Sequence, residues 1–339
     1  DSKGKSRGPA TEVGETEDDE TYADGQVATE AVKRLRAAAQ TPDQPFFIAV
    51  GFVRPHLPFV APKKYWDLHD PEKLPMPEFV EAPEYAPEYA LQSSGELRNY
   101  TDMREQPKLL DQETTRHLIH GYYAATSYMD AQLGRVMKAL DASGMADNTL
   151  MVLWGDHGWH LGDHGMWCKH TCFEQAGRIP IIIAAPQGAK GAHSAAFIET
   201  VDLYPTLAEL AGLPAPQGLD GVSQAAVVRD TAAKVRDHAF HVYPRGGLLG
   251  RAVRTERYRM EEGKEPGAAA DTAEYELYDY QEDPLETRNR AGEEPGVLDS
   301  LKAILATYPE AKPQYKEMTA EQKAKREAEL EKRRKAFLK

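Results

Sequence analysis

Three short, almost purely apolar runs stand out at residues 46–50, 149–154 and 179–185, and they constrain the fold more than any other feature of the chain. Phe46-Phe47-Ile48-Ala49-Val50 and Ile181-Ile182-Ile183 show no polar alternation. A strand that is apolar on both faces must be covered on both, as in a parallel sheet between layers of helices. A long helical pattern lies between the first two runs: over 114–143, Leu118, Tyr122, Ala125, Met129, Leu133, Val136 and Leu140 share one face. Val27, Ala31 and Leu35 predict a helix over 24–39, stopped by Pro42 and Pro45, and a further helix is expected over 200–213 with Asp202 near its start. The expectation is an α/β fold with a mixed, largely parallel sheet flanked by helices.

Beyond residue 235 the texture changes to short strand-like pieces at 238–243, 250–255, 258–262 and 275–280, separated by turns. That pattern predicts a smaller antiparallel α+β subdomain. The expected organisation is a polar tail or loop over 1–20, a main portion over 21–235, the small subdomain over 236–315 and a charged terminal helix over 316–339. Residues 60–112, rich in Pro, Glu and Tyr, read as a long irregular excursion of the kind that is functional or mobile. Asn99-Tyr100-Thr101 has the pattern of a glycosylation acceptor.

Charge narrows the partners. With 41 Lys and Arg against 54 Asp and Glu, the formal net charge is −13, which disfavours a nucleic-acid partner. An anionic substrate has to be met by local positive charge. No apolar run reaches the length of a membrane span. The chain opens on Asp-Ser-Lys, and the reading expects further residues upstream. Two cysteines, Cys168 and Cys172, exclude a disulfide framework and read as buried free thiols. The alternatives are a reactive thiol beside Lys169 and His170, or a local disulfide.

The chemistry concentrates in residues 153–170, which hold four of the eleven histidines, Asp156, Asp163, three tryptophans and Lys169. This window begins where a strand is expected to end, the place where open α/β sheets bind ligands. Gly155 and Gly158 bracket Asp156-His157, a pair suited to ligating a metal or exchanging a proton. Histidine richness suits zinc or another transition metal, and carboxylate oxygens suit calcium or magnesium, so the residues alone leave the ion open. His56 is held between prolines directly after the first apolar run.

These segments together resemble the sulfatase family of the alkaline-phosphatase-like superfamily, and within it the iduronate-2-sulfatase branch and its bacterial relatives. The likeness rests on Val53-Arg54-Pro55-His56-Leu57-Pro58-Phe59, Tyr122-Tyr123-Ala124-Ala125-Thr126-Ser127-Tyr128-Met129-Asp130, the 156–174 window, Asp202-Leu203-Tyr204-Pro205-Thr206 and Tyr275-Glu276-Leu277-Tyr278-Asp279. It extends in order over residues 20–310. The resemblance implies that Asp156 and His157 are two ligands of a calcium ion. It also implies that Lys169 and His56 contact the sulfate ester, and that Trp159 lines the wall facing the substrate. The implied activity is hydrolysis of sulfate from sulfated saccharides, in a periplasmic, secreted or lysosomal protein. Arg245 and Arg251 are candidate readers of a sugar carboxylate.

The family's Cys/Ser-x-Pro-Ser-Arg nucleophile motif, whose first residue becomes formylglycine, is not found in this sequence; nor are its first metal-binding aspartates. The expectation is that these lie upstream of Asp1 and that the isolated chain is inert. Two other readings stand beside it: a phosphodiesterase or phosphonate hydrolase on the same scaffold, and a non-catalytic binding or structural protein.

Overall fold

The computed structural model describes residues 7–310 apart from Gly246, and Ala324 beyond them. The chain opens with β1 (Thr11–Val13), and α1 (Ala23–Ala38) follows. β2 (Phe59–Ala61) pairs with β1 in parallel, Thr11 opposite Phe59, and leads into the short α2 (Lys63–Trp66). Ala10 and Thr11 are buried, so the stretch read as a polar tail contributes a strand to the body from residue 11. Its polar composition hid this, because three residues are too few to show a period.

Helix α3 (Gln112–Ala142) is the spine of the molecule. The Asp111 side chain caps it, accepting from the Thr114 N–H at 2.7 Å. Its buried stripe runs through Leu118, Ile119, Ala124, Ala125, Tyr128 and Leu140, whereas Met129, Leu133 and Val136 are only half-buried. Tyr128 tolerates full burial because its hydroxyl donates to the Asp19 carbonyl (3.0 Å) and accepts from the Gly25 N–H (2.7 Å). Where α3 crosses β1 and β2, a Cβ on Gly121 would lie 1.9 Å from Thr11 Oγ1 and 3.0 Å from Phe59 Cβ. Gly121→Ala is therefore expected to cost about 1–3 kcal/mol through overpacking, read from the urea midpoint at unchanged m-value. A loss below ~0.3 kcal/mol would mean that the crossing yields without strain.

After α3 come β3 (Met151–Trp154), β4 (His160–Leu161), β5 (Trp167–Cys168), α4 (Glu174–Gly177) and β6 (Ile181–Ala184). β3 pairs with β6 and β4 with β5, both antiparallel. The expected runs at 149–154 and 179–185 are thus strands that pair with each other. The run at 46–50 is not a strand: Phe46 and Phe47 are exposed, and the segment has no hydrogen-bonded neighbour among the described residues. An apolar segment becomes a strand only when another backbone satisfies its N–H and C=O groups, and none does so here.

Helices α5 (Leu203–Leu210) and α6 (Ala225–Arg229) lead to the four strands β7 (His238–Arg245), β8 (Leu248–Thr255), β9 (Tyr258–Lys264) and β10 (Glu274–Asp279). These form one antiparallel meander, in the places the sequence predicts. Helix α7 (Pro295–Leu305) covers it, enclosing Val253, Met260, Leu277, Leu298, Leu301 and Leu305. The charged helix expected over 316–339 lies outside the described residues, save Ala324. Among the described residues no helix is long and apolar enough to cross a membrane.

Candidate active site

The site is assembled by loops that distant residues hold in place. The loop carrying His56 is tied to the start of α1, where the buried Asp24 carboxylate accepts from the Val53 and Arg54 N–H groups at 2.8 and 2.9 Å. Arg54 closes the same loop by donating to the His56 and Val60 carbonyls. His56 follows one cis prolyl bond and precedes another. Its Nδ1 lies 2.9 Å from the Leu57 carbonyl, an acceptor, so Nδ1 carries a proton and Nε2 faces the site.

At that nitrogen a cationic cluster closes around one carboxylate. Lys169 Nζ lies 2.9 Å from His56 Nε2 and donates to both oxygens of Glu96, at 2.9 and 2.7 Å. His56 Nε2 is itself 2.9 Å from Glu96, and His170 Nε2 donates to Glu96 at 3.0 Å. His170 is oriented from its other side by the Tyr243 hydroxyl on β7. Trp159 floors the cluster: Lys169 Nζ is 4.9 Å from the centre of its ring, and the His56 ring meets it edge-on at 5.5 Å.

Charge and hydrogen bonding set the protonation here. His170 and His56, with Lys169, hold the Glu96 carboxyl far below the usual range against the pull of partial burial. The hydrogen bond to Glu96 raises His56 above its ordinary value, again against partial burial. A raised histidine contributes stability that is full below its unfolded value near 6.5 and is lost as pH rises through the folded value. A depressed carboxylate contributes above its unfolded value near 4.5 and loses that contribution as pH falls through the folded value. The melting temperature should therefore favour wild type over Glu96→Gln most strongly between about pH 4.5 and 6.5. A difference that is flat from pH 4 to 9 would show that the two groups do not titrate as a pair.

Trp159 also meets the Asp156–His157 pair. The His157 ring stacks on Trp159 at 5.9 Å, and its Nδ1 donates to the Gly158 carbonyl at 2.8 Å. That leaves the Nε2 lone pair directed toward Asp156 Oδ2 at 3.6 Å, with the Asp156 carboxylate largely exposed. Two lone-pair donors at this spacing fit adjacent positions around one divalent cation, whose bonds are about 2–2.5 Å long. Gly158 lets this turn press against α4: its N–H donates to Ala176, and a Cβ there would lie 2.0 Å from the Gln175 carbonyl.

A second group of donor atoms is buried nearby. His160, Asp163 and His164 each offer a ligand atom, all within 4.8 Å of one another. His160 Nδ1 already bonds Asp163, and its Nε2 meets the Thr171 hydroxyl at 2.7 Å. His164 Nε2 donates to the Leu285 carbonyl at 3.0 Å. Two imidazoles and one carboxylate make a donor set that could hold a metal, of a kind that suits transition metals better than calcium.

Of the sequence-predicted residues, the structure brings His56, Trp159, Lys169 and His157 together, with Asp156 at the rim. Arg245 has a different position from the one expected. Its guanidinium donates to the carbonyls of Ala90, Leu91 and His170, so it braces the excursion and the His170 turn instead of presenting free donors. Arg251 is buried and paired with Glu262, which removes it as a reader of substrate. Both cysteines are free and buried, and burial pushes the Cys168 thiol up to about 12, so neither is a ready nucleophile. Sequence reasoning missed Glu96 and Asp24. Glu96 sits in the irregular excursion with no period or motif around it, and Asp24 reads as an ordinary first-turn acid.

A lysine–histidine cluster that could meet an anion, beside an Asp–His pair that could ligate a divalent cation, on an α/β frame, is an arrangement suited to hydrolysis of anionic esters. The Sulfatase family profile matches residues 3–213, more than half of the chain, and the chain belongs to that family. A profile for the C-terminal region of N-sulphoglucosamine sulphohydrolase matches residues 162–307. A sulfatase of Formosa agariphila is 32% identical over 268 residues, 77% of this chain and 50% of its own length. Mouse iduronate 2-sulfatase is 33% identical over 226 residues, 58% of this chain and 41% of its own length. The chain thus spans about half the length of the curated relatives it matches. Among solved structures, a protein in complex with its substrate D-glucosamine-2-N,6-O-disulfate superposes with a TM-score of 0.71 at 21% identity, over 84% of this chain and 69% of its own. A phosphonate monoester hydrolase of Silicibacter pomeroyi does so with a TM-score of 0.71 at 25% identity, over 85% and 60%. The fold is the expected α/β, alkaline-phosphatase-like one, with the antiparallel meander at its C-terminal end.

Proposed function

We propose that the protein carrying this chain is a sulfuric ester hydrolase acting on sulfated sugars, with this chain supplying one side of its metal site and one side of its sulfate clamp. The observation that carries the reading is the convergence of Lys169, His56 and His170 on a single carboxylate, one ring away from Asp156 and His157. In this reading Lys169 and His56 hold the oxygens of the ester. His56, charged through Nε2, has a proton to give the departing alcohol oxygen, and Nδ1 stays committed to Leu57. Trp159 excludes water beneath the ester and offers an apolar face to the sugar. Asp156 and His157 would hold a calcium ion, which supplies positive charge for the sulfate oxygens as negative charge spreads over them. The chain divides near residue 235 into a catalytic portion and a smaller subdomain. A periplasmic, secreted or lysosomal location goes with the same reading.

The test is hydrolysis by the full-length protein of sulfated uronate disaccharides and of aryl sulfates. Release of sulfate from either supports the assignment, and no release from a correctly folded, nucleophile-bearing protein overturns it. A second reading, hydrolysis of phosphonate monoesters, is favoured by the likeness to the Silicibacter pomeroyi enzyme. It predicts faster turnover of phenylphosphonate esters than of the matching sulfates.

A further inference from the structure

Glu96 is the least expected member of the site. It stands where the anionic end of a substrate would be gripped. Three donors, Lys169, His56 and His170, all spend hydrogen bonds on it. It is not there by the chance swing of a long side chain. The backbone around it is anchored on both sides: the buried Ser94 hydroxyl accepts from the Trp167 N–H at 3.1 Å, and the Gln92 side chain donates to the Trp167 carbonyl at 2.5 Å. On the other side Leu97 is fully buried, and the Arg98 guanidinium gathers the carbonyls of Met103, Gln106, Pro107 and Lys108. The segment is therefore docked on β5, two residues from Lys169, with only the Glu96 side-chain torsions left to move.

We propose that Glu96 is a resident counter-anion of the anion site: it shares Lys169 and His56 with the bound ester and so makes the site select a singly charged ester over a doubly charged one. The inference rests on the sulfatase reading above and adds a specificity-determining residue to it. Lys169 brings a positive charge, and the Glu96 carboxylate removes one unit of whatever positive charge the site holds. A sulfate monoester carries one negative charge, and a phosphate monoester carries close to two at pH 8. Each added negative charge on the ligand is repelled by Glu96 from within a few ångströms, so the doubly charged ester is penalised more. Like charges at that distance repel appreciably even at an effective dielectric constant near 20. Shape does not separate the two esters, since both are tetrahedral, so a fixed negative charge is the means of discrimination that this geometry provides.

The experiment measures dissociation constants of benzylsulfonate and benzylphosphonate for the full-length protein at pH 8.5, in wild type, Glu96→Gln, Glu96→Asp and Lys169→Ala. These isosteres carry one and two charges, and neither has an ester bond to hydrolyse. Wild type should prefer the sulfonate. Glu96→Gln should tighten the phosphonate by about tenfold or more and the sulfonate by about threefold or less, narrowing or reversing the preference. Glu96→Asp keeps the charge and should keep the wild-type ratio within about twofold, which separates charge from packing. Lys169→Ala should weaken both ligands. A ratio unchanged in Glu96→Gln, with Lys169→Ala still weakening both ligands, overturns the role of Glu96 and leaves the anion site standing. Equal binding in wild type and Lys169→Ala overturns the anion site itself.

Discussion

Replacing Lys169 by alanine is expected to lower sulfate-ester hydrolysis by the protein carrying this chain about 10²–10³-fold, mostly in kcat. The size follows from the place of Nζ. It is half-enclosed, on the face of Trp159, and within 3 Å of both His56 and Glu96. Water cannot readily replace a charge held at that point. The ammonium group also fixes neighbours that act with it, so its removal leaves Glu96 paired only with the two histidines. Lys169→Arg should recover little, because a planar fork does not reproduce a point charge on a ring face. Steady-state kinetics with an aryl sulfate decide the matter: a loss under threefold would take Lys169 out of the site.

The second large effect concerns stability. Arg259 on β9 is almost completely buried, with Nε on Glu286 and Nη1 on Glu261, and its guanidinium lies between the rings of Phe173 and Tyr278 at 4.9 and 4.8 Å. The surrounding acids keep it charged despite burial. Arg259→Met fills the volume and abandons Glu261 and Glu286 in a dry interior. Breaking a buried pair from one side costs about 3–5 kcal/mol. Glu286 also accepts the Glu174 N–H at 3.1 Å, so the damage should spread to the turn that follows Lys169 and His170. Urea unfolding would read the loss, and a change below ~1 kcal/mol would mean that the acids simply protonate or find water.

How much of this was legible in the sequence depended on whether the cause was local. Helix α3 declared itself through 3.6-residue spacing, and β7 to β10 through short strand-like pieces between turns. The same holds for the density of His, Asp and Trp around Asp156, His157, Trp159 and Lys169, since the residues that meet there are close in sequence. Residues 46–50 failed as a strand because pairing is a property of two segments, and composition reports on only one. Glu96 was invisible for a related reason: two of its partners, Lys169 and His170, lie 73 and 74 residues away, and nothing in an aperiodic excursion marks which acid will reach them. Arg245 shows the reverse error. It looked like a free reader of anions until the carbonyls of Ala90 and Leu91, some 155 residues distant, took up its donors.

The central claim is that this chain carries the sulfate-gripping and part of the cation-binding face of a sulfatase. Its most direct test is the rate of sulfate release from an aryl sulfate by the full-length protein, with and without a chelator, beside the matching phosphonate monoester. The account predicts sulfate release that exceeds phosphonate turnover and falls at least about tenfold when the cation is stripped. Release that is indifferent to chelation, or turnover of the phosphonate with no sulfate released, contradicts it.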